Sequence, residues 1–289
     1  MTNDPQTPSD AGTGNPAPVD QATLWNGPAG QAWVDAQDTL DRMFAGFETR
    51  LVAKIPEDSR AHVLDVGCGT GATTLAIARR LCGGTATGVD LSEPMLARAR
   101  ERAAAAALPA TFLHADAGSH RFASAGFDRI VSRFGVMFFA DPVAAFANLR
   151  AAARAGAELD AFAWRAPVDN PFMITAERAA APFLAEMPAR DPHAPGQFAF
   201  ADSDRVSRIL SESGWSATRI EPADVACSFP AAGLVPFLTR LGPVGLALKD
   251  ADAATRARVI DTVRAAFDPF VEGDEVRYVA ACWRLRAAA

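Results

Sequence analysis

Lysine is almost absent from this chain of 289 residues, occurring only at Lys54 and Lys249, and the net charge is −6. Affinity for nucleic acid comes mainly from cations that neutralise phosphates, so both features count against nucleic acid as the main partner. Cysteine is limited to Cys68, Cys82, Cys227 and Cys282. No two stand at metal-ligand or redox spacing, which reads as a reduced, cytoplasmic protein without a metal site. No run of some 18 apolar residues suggests a membrane span. No basic segment followed by an apolar one opens the N-terminus, so no signal peptide is expected. Tyrosine occurs once, at Tyr278. Neither lysine is near it, so a Tyr-x-x-x-Lys pair for hydride chemistry is missing.

What the chain does have is an apolar fraction of 49%, enough for a sizeable core, and one stretch around which the rest is organised: His62–Ala72, HVLDVGCGTGA. His62–Val66 is a short, mostly apolar run that suits a buried strand. Gly67, Gly69 and Gly71 follow at alternate positions, and Leu75, Ala78 and Leu81 then recur at helical spacing. Strand, glycine loop and helix together form a nucleotide-like binding site, because glycine tolerates φ > 0 and lets a ligand approach bare backbone. Asp65 sits at the strand end, just before the glycines. A pyrophosphate would be repelled there and a cationic ligand welcomed.

The same alternation continues along the chain. Thr85–Asp90 reads as a second strand ending in an acid, and Ser92 caps a helix with Pro94 in its first turn, running to about Ala106. Ala110–Asp116 is a third strand and Phe127–Ser132 a fourth. Asp141 and Pro142 open a helix to Arg154, Gly156 ends it, and Leu159–Trp164 is a fifth strand. Alternating strands and helices imply a parallel, doubly wound α/β sheet. Asp65, Asp90, Asp116 and Ser132 then line the crevice at the carboxyl ends of the strands, where such sheets bind ligands.

Beyond this core, residues 1–20 read as a disordered tail and 21–60 as an N-terminal helical cap. In the cap, Trp25 and Trp33 bracket a turn, and Asp35–Ile55 is a helix. Leu24–Trp33 can be read as a lid over a ligand, or the tryptophans as core anchors. Residues 61–165 form the ligand-binding core and 166–205 an insertion with a helix near Phe172–Leu184. Residues 206–289 complete the sheet: helix Ser203–Ser213, strand Trp215–Ser228, a helical insertion over 231–270 that includes Ala253–Phe267, and strand Glu275–Leu285. The phenylalanines of the insertions read either as an apolar roof over a small substrate or as those segments' own core.

The glycine pattern also satisfies the loose dinucleotide motif G-x-G-x-x-A, with Asp90 about 20 residues on. Asp65, the third acid Asp116 and the missing hydride machinery favour another ligand. VLDVGCGTG, VDLSEPMLARAR, HADA and FDRIVSRFGVMFFADP, in that order, resemble the motifs of class I S-adenosylmethionine-dependent methyltransferases over Val63–Arg165. The resemblance implies a Rossmann-like sheet of seven strands, mostly parallel, the last one antiparallel and inserted between the fifth and sixth. It implies that Gly67, Gly69 and Gly71 hold the methionine part of S-adenosylmethionine, with Asp65 facing the ammonium. Asp90 accepts the ribose hydroxyls, Leu91 and Met95 flank the adenine, and Asp116 and the Ala117 amide bind its edge. Ser132 and Arg133 offer backbone carbonyls to the ammonium; Trp25 and Trp33 close over the ligand only on the lid reading of the cap, which the resemblance does not supply. The family's Pro-Gly-Gly before strand five is replaced by Arg154-Ala-Gly-Ala157, and Asp160 falls inside a strand expected to be central and apolar. A buried carboxylate must be paired, protonated or at the strand mouth, and a neighbouring arginine such as Arg165 is the first candidate partner.

Methyl transfer from a sulfonium asks the protein mainly to position and desolvate. Candidates for a general base are His120, His193, Asp191 and Glu177, none with partner spacing that marks it. An Asn-Pro-Pro-Tyr run after strand four is absent, which argues against methylation of nucleic-acid bases or protein glutamine and for a small organic acceptor. Two alternatives stay open: an NAD(P)-dependent oxidoreductase, and a non-catalytic ligand-binding protein with this fold.

Overall fold

The structure is a computed structural model that describes residues 20–184, 191–249 and 251–289. Apart from Asp20, the expected disordered tail lies outside the described residues. The Asp20 carboxylate accepts hydrogen bonds from the amides of Ala22 and Thr23 and so opens the first helix. The cap comprises α1 (Gln21–Asn26), α2 (Pro28–Asp35), α3 (Gln37–Met43) and α4 (Ala45–Val52). The turn expected between the two tryptophans is reduced to Gly27, because Pro28 restarts a helix at its first position. The single helix expected over Asp35–Ile55 is broken at Ala36 and Phe44.

The core then runs β1 (His62–Val66), α5 (Ala72–Ala78), β2 (Thr85–Asp90), α6 (Glu93–Ala105), β3 (Ala110–His114), β4 (Phe127–Arg133), α7 (Pro142–Ala152) and β5 (Ala153–Trp164). It continues with α8 (Pro171–Ala180), α9 (Ser203–Glu212), β6 (Ser216–Pro230), α10 (Leu234–Arg240), α11 (Gly242–Ala247), α12 (Ala253–Ala266), β7 (Val271–Glu272) and β8 (Glu275–Ala288). The strand order is β3-β2-β1-β4-β5-β8-β6. β1 to β5 pair in parallel, and β8 runs antiparallel between β5 and β6. The described residues contain eight strands rather than seven, because β7 folds back on the start of β8. Gly273 takes φ +63 in the two-residue turn between them, the conformation such a hairpin demands.

β5 begins six residues earlier than expected, at Ala153, and α7 ends at Ala152 rather than Arg154. Phe127 pairs with Ala153, the register then shifts, and Arg129 pairs with Glu158. Gly156, at φ +77, sits in this irregular stretch instead of closing the helix.

The centre of the sheet is covered on both faces, as parallel strands require. Phe47 of α4 packs edge-on against Phe134 and Phe162, and Trp215 donates from Nε1 to the Phe146 carbonyl of α7. β6 and β8 stay paired from Ser216↔Ala288 to Pro230↔Glu275, whereas β5 leaves β8 at Trp164↔Cys282. The far halves of β6 and β8 therefore form a ribbon that rises past the carboxyl edge. Phe172 of α8 packs against it, stacked on Tyr278 at 3.9 Å and ringed by Phe229, Phe237, Phe267 and Phe270.

Asp160 is buried, and its partner is Arg284, not Arg165. The guanidinium grips both carboxylate oxygens, at 2.8 and 2.5 Å. Arg284 lies opposite Phe162, so the inserted β8 brings it to the same face as Asp160, two positions along. Arg165 instead faces Asp169 and Asp224. No helix among the described residues is long and apolar enough to cross a membrane.

Candidate functional site

Parallel pairing places the ends of β1, β2, β4 and β5 on one edge. Gly67, Gly69 and Gly71 leave β1 at φ +67, +54 and +83. A Cβ at Gly67 would stand 2.5 Å from the Gly135 Cα, and one at Gly71 2.9 Å from the Ala99 Cβ. Those two glycines let backbone and helix pack closely. Gly69 differs: the nearest atom to its Cβ position is the Met95 sulfur at 3.7 Å. Its backbone lies bare toward the space bounded by the buried Met95.

Two acids stand beside this loop. Asp65 is 1% exposed and accepts a hydrogen bond from the Thr74 hydroxyl at 2.6 Å. Burial pushes its carboxyl up to about 6, against the Thr74 bond and the charge of Arg133. Asp90 accepts from the Gly69 amide on one oxygen, at 2.8 Å, and from the Ser92 amide on the other, at 2.9 Å. Burial raises its pKa as well, and those backbone bonds oppose the rise. Each carboxylate oxygen of Asp90 keeps a lone pair, so two hydroxyl donors can still be accepted.

Asp116 is exposed and past the end of β3, where it accepts from the Gly118 amide and the Ser119 hydroxyl, both at 2.8 Å. Ala117 is buried and Leu91 half-buried. The Ala117 carbonyl is taken by Asn148, and that of Leu91 by Asn26 and His114. Ser132 has a role its sequence context did not signal. Its buried hydroxyl donates to the Val66 carbonyl at 2.8 Å and accepts from the Gly135 and Val136 amides, tying the exits of β1 and β4 together. Next in the chain, Arg133 lies over the Phe44 ring at 5.6 Å, and Phe134 takes φ +71 while stacking on Trp164 at 4.8 Å. A left-handed phenylalanine is a strained position, typical of functional edges.

The cap closes over this edge. Trp25 meets Trp33 edge-on at 5.8 Å and Phe138 at 5.3 Å. The Ser92 hydroxyl donates to the Trp25 carbonyl at 2.7 Å, and Asn26 bonds both the Leu91 carbonyl and the Glu93 amide. Arg102 of α6 joins Asp41 of α3, at 2.6 Å, to the Thr70 carbonyl of the glycine loop, at 2.7 Å. Asn26, Asp41 and Arg102 were not legible beforehand, because their partners lie some 60 residues away in sequence.

The histidine candidates are less central. His120 follows the Asp116 turn and packs its ring on Phe122 at 4.7 Å. His193 is exposed, three residues before Gly196, whose amide donates to the Met137 carbonyl. Asp191 is exposed and accepts from the His193 amide, and Glu177 lies on α8. Among the described residues, no group of three or more His, Cys, Asp or Glu is placed to hold a metal ion.

Where β5 ends, a cleft of about 310 Å³ opens toward the ribbon. Phe172, Phe270 and Tyr278 line its wall, together with Arg165, Asp169 and Asp224. Its size suits a small organic molecule.

Residues 63–156 match the family described as "Methyltransferase domain". The chain is 35% identical over 109 residues to a demethylmenaquinone methyltransferase of Thermus thermophilus, an alignment that covers 36% of this chain and 50% of that protein. It thus spans half the length of that relative. It is 30% identical over 185 residues to a demethylmenaquinone methyltransferase of Roseiflexus castenholzii, covering 61% of this chain and 76% of that protein. Among solved structures, the YcgJ protein from Bacillus subtilis superposes with a TM-score of 0.55 at 16% identity, over 83% of this chain and 97% of that one, a likeness of fold.

Proposed function

Because the chain belongs to the class I S-adenosylmethionine-dependent methyltransferases, we propose that it moves a methyl group from S-adenosylmethionine to a small, partly apolar organic acceptor. S-adenosylmethionine is the cofactor of this family, and when bound it supplies a sulfonium-activated methyl group. The observation that carries the reading is the junction of Gly69 and Asp90. A bare glycine backbone is fixed by a half-buried carboxylate that retains capacity for two hydroxyl donors. That is the complement of a ribose diol, and Asp65 beside it suits a cation where a pyrophosphate would be repelled.

The remaining assignments follow from position. Met95 offers a polarisable wall to a purine ring, and Asp116 with Ala117 lies where the ring's edge would reach. Trp25 and Trp33 exclude water from the edge, which strengthens electrostatic interactions inside it. The cleft beside Arg165 receives the acceptor, its aromatic wall taking the apolar part. Two of the matched relatives are named for demethylmenaquinone, an acceptor of this general kind. The domain division at about residues 60, 165 and 205 corresponds to cap, cofactor core, insertion and completion of the sheet.

Calorimetry with S-adenosylmethionine, S-adenosylhomocysteine and NAD tests the reading, followed by a screen of small acceptors. The first two should bind and NAD should not. Asp90→Ala should weaken binding by about 2–3 kcal/mol, the scale of charge-assisted hydrogen bonds left unmade. NAD binding, or unchanged affinity in a folded Asp90→Ala variant, overturns the assignment.

A further inference from the structure

The cleft where β5 leaves β8 is lined by three charged side chains, Arg165, Asp169 and Asp224. One cation stands against two anions, so the lining is net negative. The cation is already engaged. Its Nη2 faces the Asp169 carboxylate at 3.4 Å and its Nη1 the Asp224 carboxylate at 3.3 Å. The guanidinium carbon lies 5.3 Å from the centre of the Trp283 ring, and Nε is buried without a hydrogen-bond partner, out of a ligand's reach. An anion entering the cleft would find a spent arginine and two repelling acids.

The acids are differently placed. Both contacts to Arg165 are long beside the about 2.8 Å of a charge-assisted hydrogen bond, and both use Oδ1 of the carboxylate. Among the described residues nothing donates to either Oδ2. Arg50, the other guanidinium that reaches this place, donates to the Asp224 backbone carbonyl. The Asp169 and Asp224 side chains are 35% and 58% exposed. Each can therefore accept from a second donor that approaches more closely than Arg165 does.

The rest of the lining is apolar. Phe172, Phe270 and Tyr278 form a wall, and Val279 stands beside it. Val279 is 57% exposed, and Val168, in the turn that carries Asp169, is 78% exposed. Among the described residues these are the two most exposed large apolar side chains. One lines the cleft and the other precedes a residue that does. A ligand whose apolar part continues outward along Val279 removes that surface from water.

Taking this cleft as the place of the acceptor, we propose that the acceptor is an amphiphilic amine. Asp169 and Asp224 share its ammonium, and its apolar body lies along the aromatic wall and out past Val279. Aromatic rings beside the two acids add to the preference for a cation.

Four probes separate charge from length. Octylamine, 1-octanol and octanoate differ at one end only, and propylamine keeps the charge on a shorter chain. They are compared by calorimetry on the full chain saturated with S-adenosylhomocysteine, at neutral pH. Octylamine should bind at one site about tenfold tighter than 1-octanol, the scale of two half-exposed ion pairs. Octanoate should bind more weakly than 1-octanol. Propylamine should bind about tenfold or more below octylamine, because it forgoes the apolar burial. Asp224→Asn, at an exposed position, should weaken octylamine about fivefold and leave 1-octanol unchanged. Octanol or octanoate binding as tightly as octylamine overturns the proposal without any variant having to fold, and so does a failure of octylamine to bind. An equal loss for octylamine and 1-octanol in Asp224→Asn overturns it too. If S-adenosylhomocysteine itself does not bind, the methyl-transfer reading fails and the amine assignment with it, a result seen before any amine is added.

Discussion

At Gly67 a single added methyl group would land on backbone; at Gly69 it would make only an ordinary contact with the Met95 sulfur. The two glycines look alike in sequence and differ in what they are for. Gly67→Ala combines a left-handed φ with a clash 2.5 Å from the Gly135 Cα, so it should cost about 3 kcal/mol of stability. Gly69→Ala carries only the φ strain, about 1 kcal/mol, but intrudes on the ligand's side of the loop. Thermal melts with and without S-adenosylhomocysteine should show Gly67→Ala lowering the melting temperature of the free protein. Gly69→Ala should mainly lose the ligand-induced rise.

Asp65 makes the site sensitive to pH. An ordinary carboxyl in the unfolded chain is ionised above about pH 4, while in the folded protein Asp65 takes up its proton near pH 6. Its ionised form therefore opposes folding at neutral pH, and that cost is relieved as pH falls through 6. Binding a ligand ammonium runs the other way, since it needs the charged form. Arg133 favours ionisation of Asp65, and Asp90 and Glu48 oppose it. Affinity for S-adenosylhomocysteine should be level above about pH 7 and fall by up to tenfold per unit below pH 6, with a proton released on binding there. Calorimetry in two buffers of different ionisation enthalpy measures that proton, and Asp65→Asn should bind weakly with the slope gone. The acids and glycines of this site were legible because the chemistry of a strand exit constrains them locally. The hydroxyl of Ser132 and the strained Phe134 were not, because their roles depend on neighbours that only the folded edge supplies.

Elements were legible where the chain punctuates itself. Ser92 and Asp141 with Pro142 each cap the helix that follows through a side-chain oxygen, and strands β2 to β4 fall close to where alternation put them. Register between distant strands left no such mark, which is why Asp160 was matched to the wrong arginine. The Asp160–Arg284 pair now links β5 to β8, and Arg284 also donates to the Arg50 carbonyl of α4. Arg284→Met leaves a carboxylate buried without its cation and should cost about 3–5 kcal/mol in urea denaturation. Replacing both residues, Asp160→Leu with Arg284→Met, should recover most of that loss. If the single variant unfolds no earlier than the parent, the pair is not what secures the strand.

Over the whole molecule, the sequence of strands and helices could be read, but not the way the cap wraps them. Four short helices cross from α6 to β6: Asn26 and Asp41 hold the side of Leu91, Arg102 and the glycine loop, and Arg50 donates to the Asp224 carbonyl of the ribbon. Residues far apart in sequence thus share one edge, and a pattern of apolar spacing within each helix is silent about which surface it will meet.

The place of β8 has a consequence for how the chain is made. Synthesis is vectorial, and β6 leaves the ribosome well before β8, yet among the described residues β6 has no hydrogen-bonded neighbour in the sheet except β8. Until residues 275–288 emerge, β5 presents an open edge beside the finished β1–β4 half, and β6 waits with both its edges unpaired. Unpaired edges of apolar strands are what chaperones shield and aggregates exploit. The nascent chain therefore completes its parallel half early and carries its vulnerability late, until β8, the last of the described strands, relieves it.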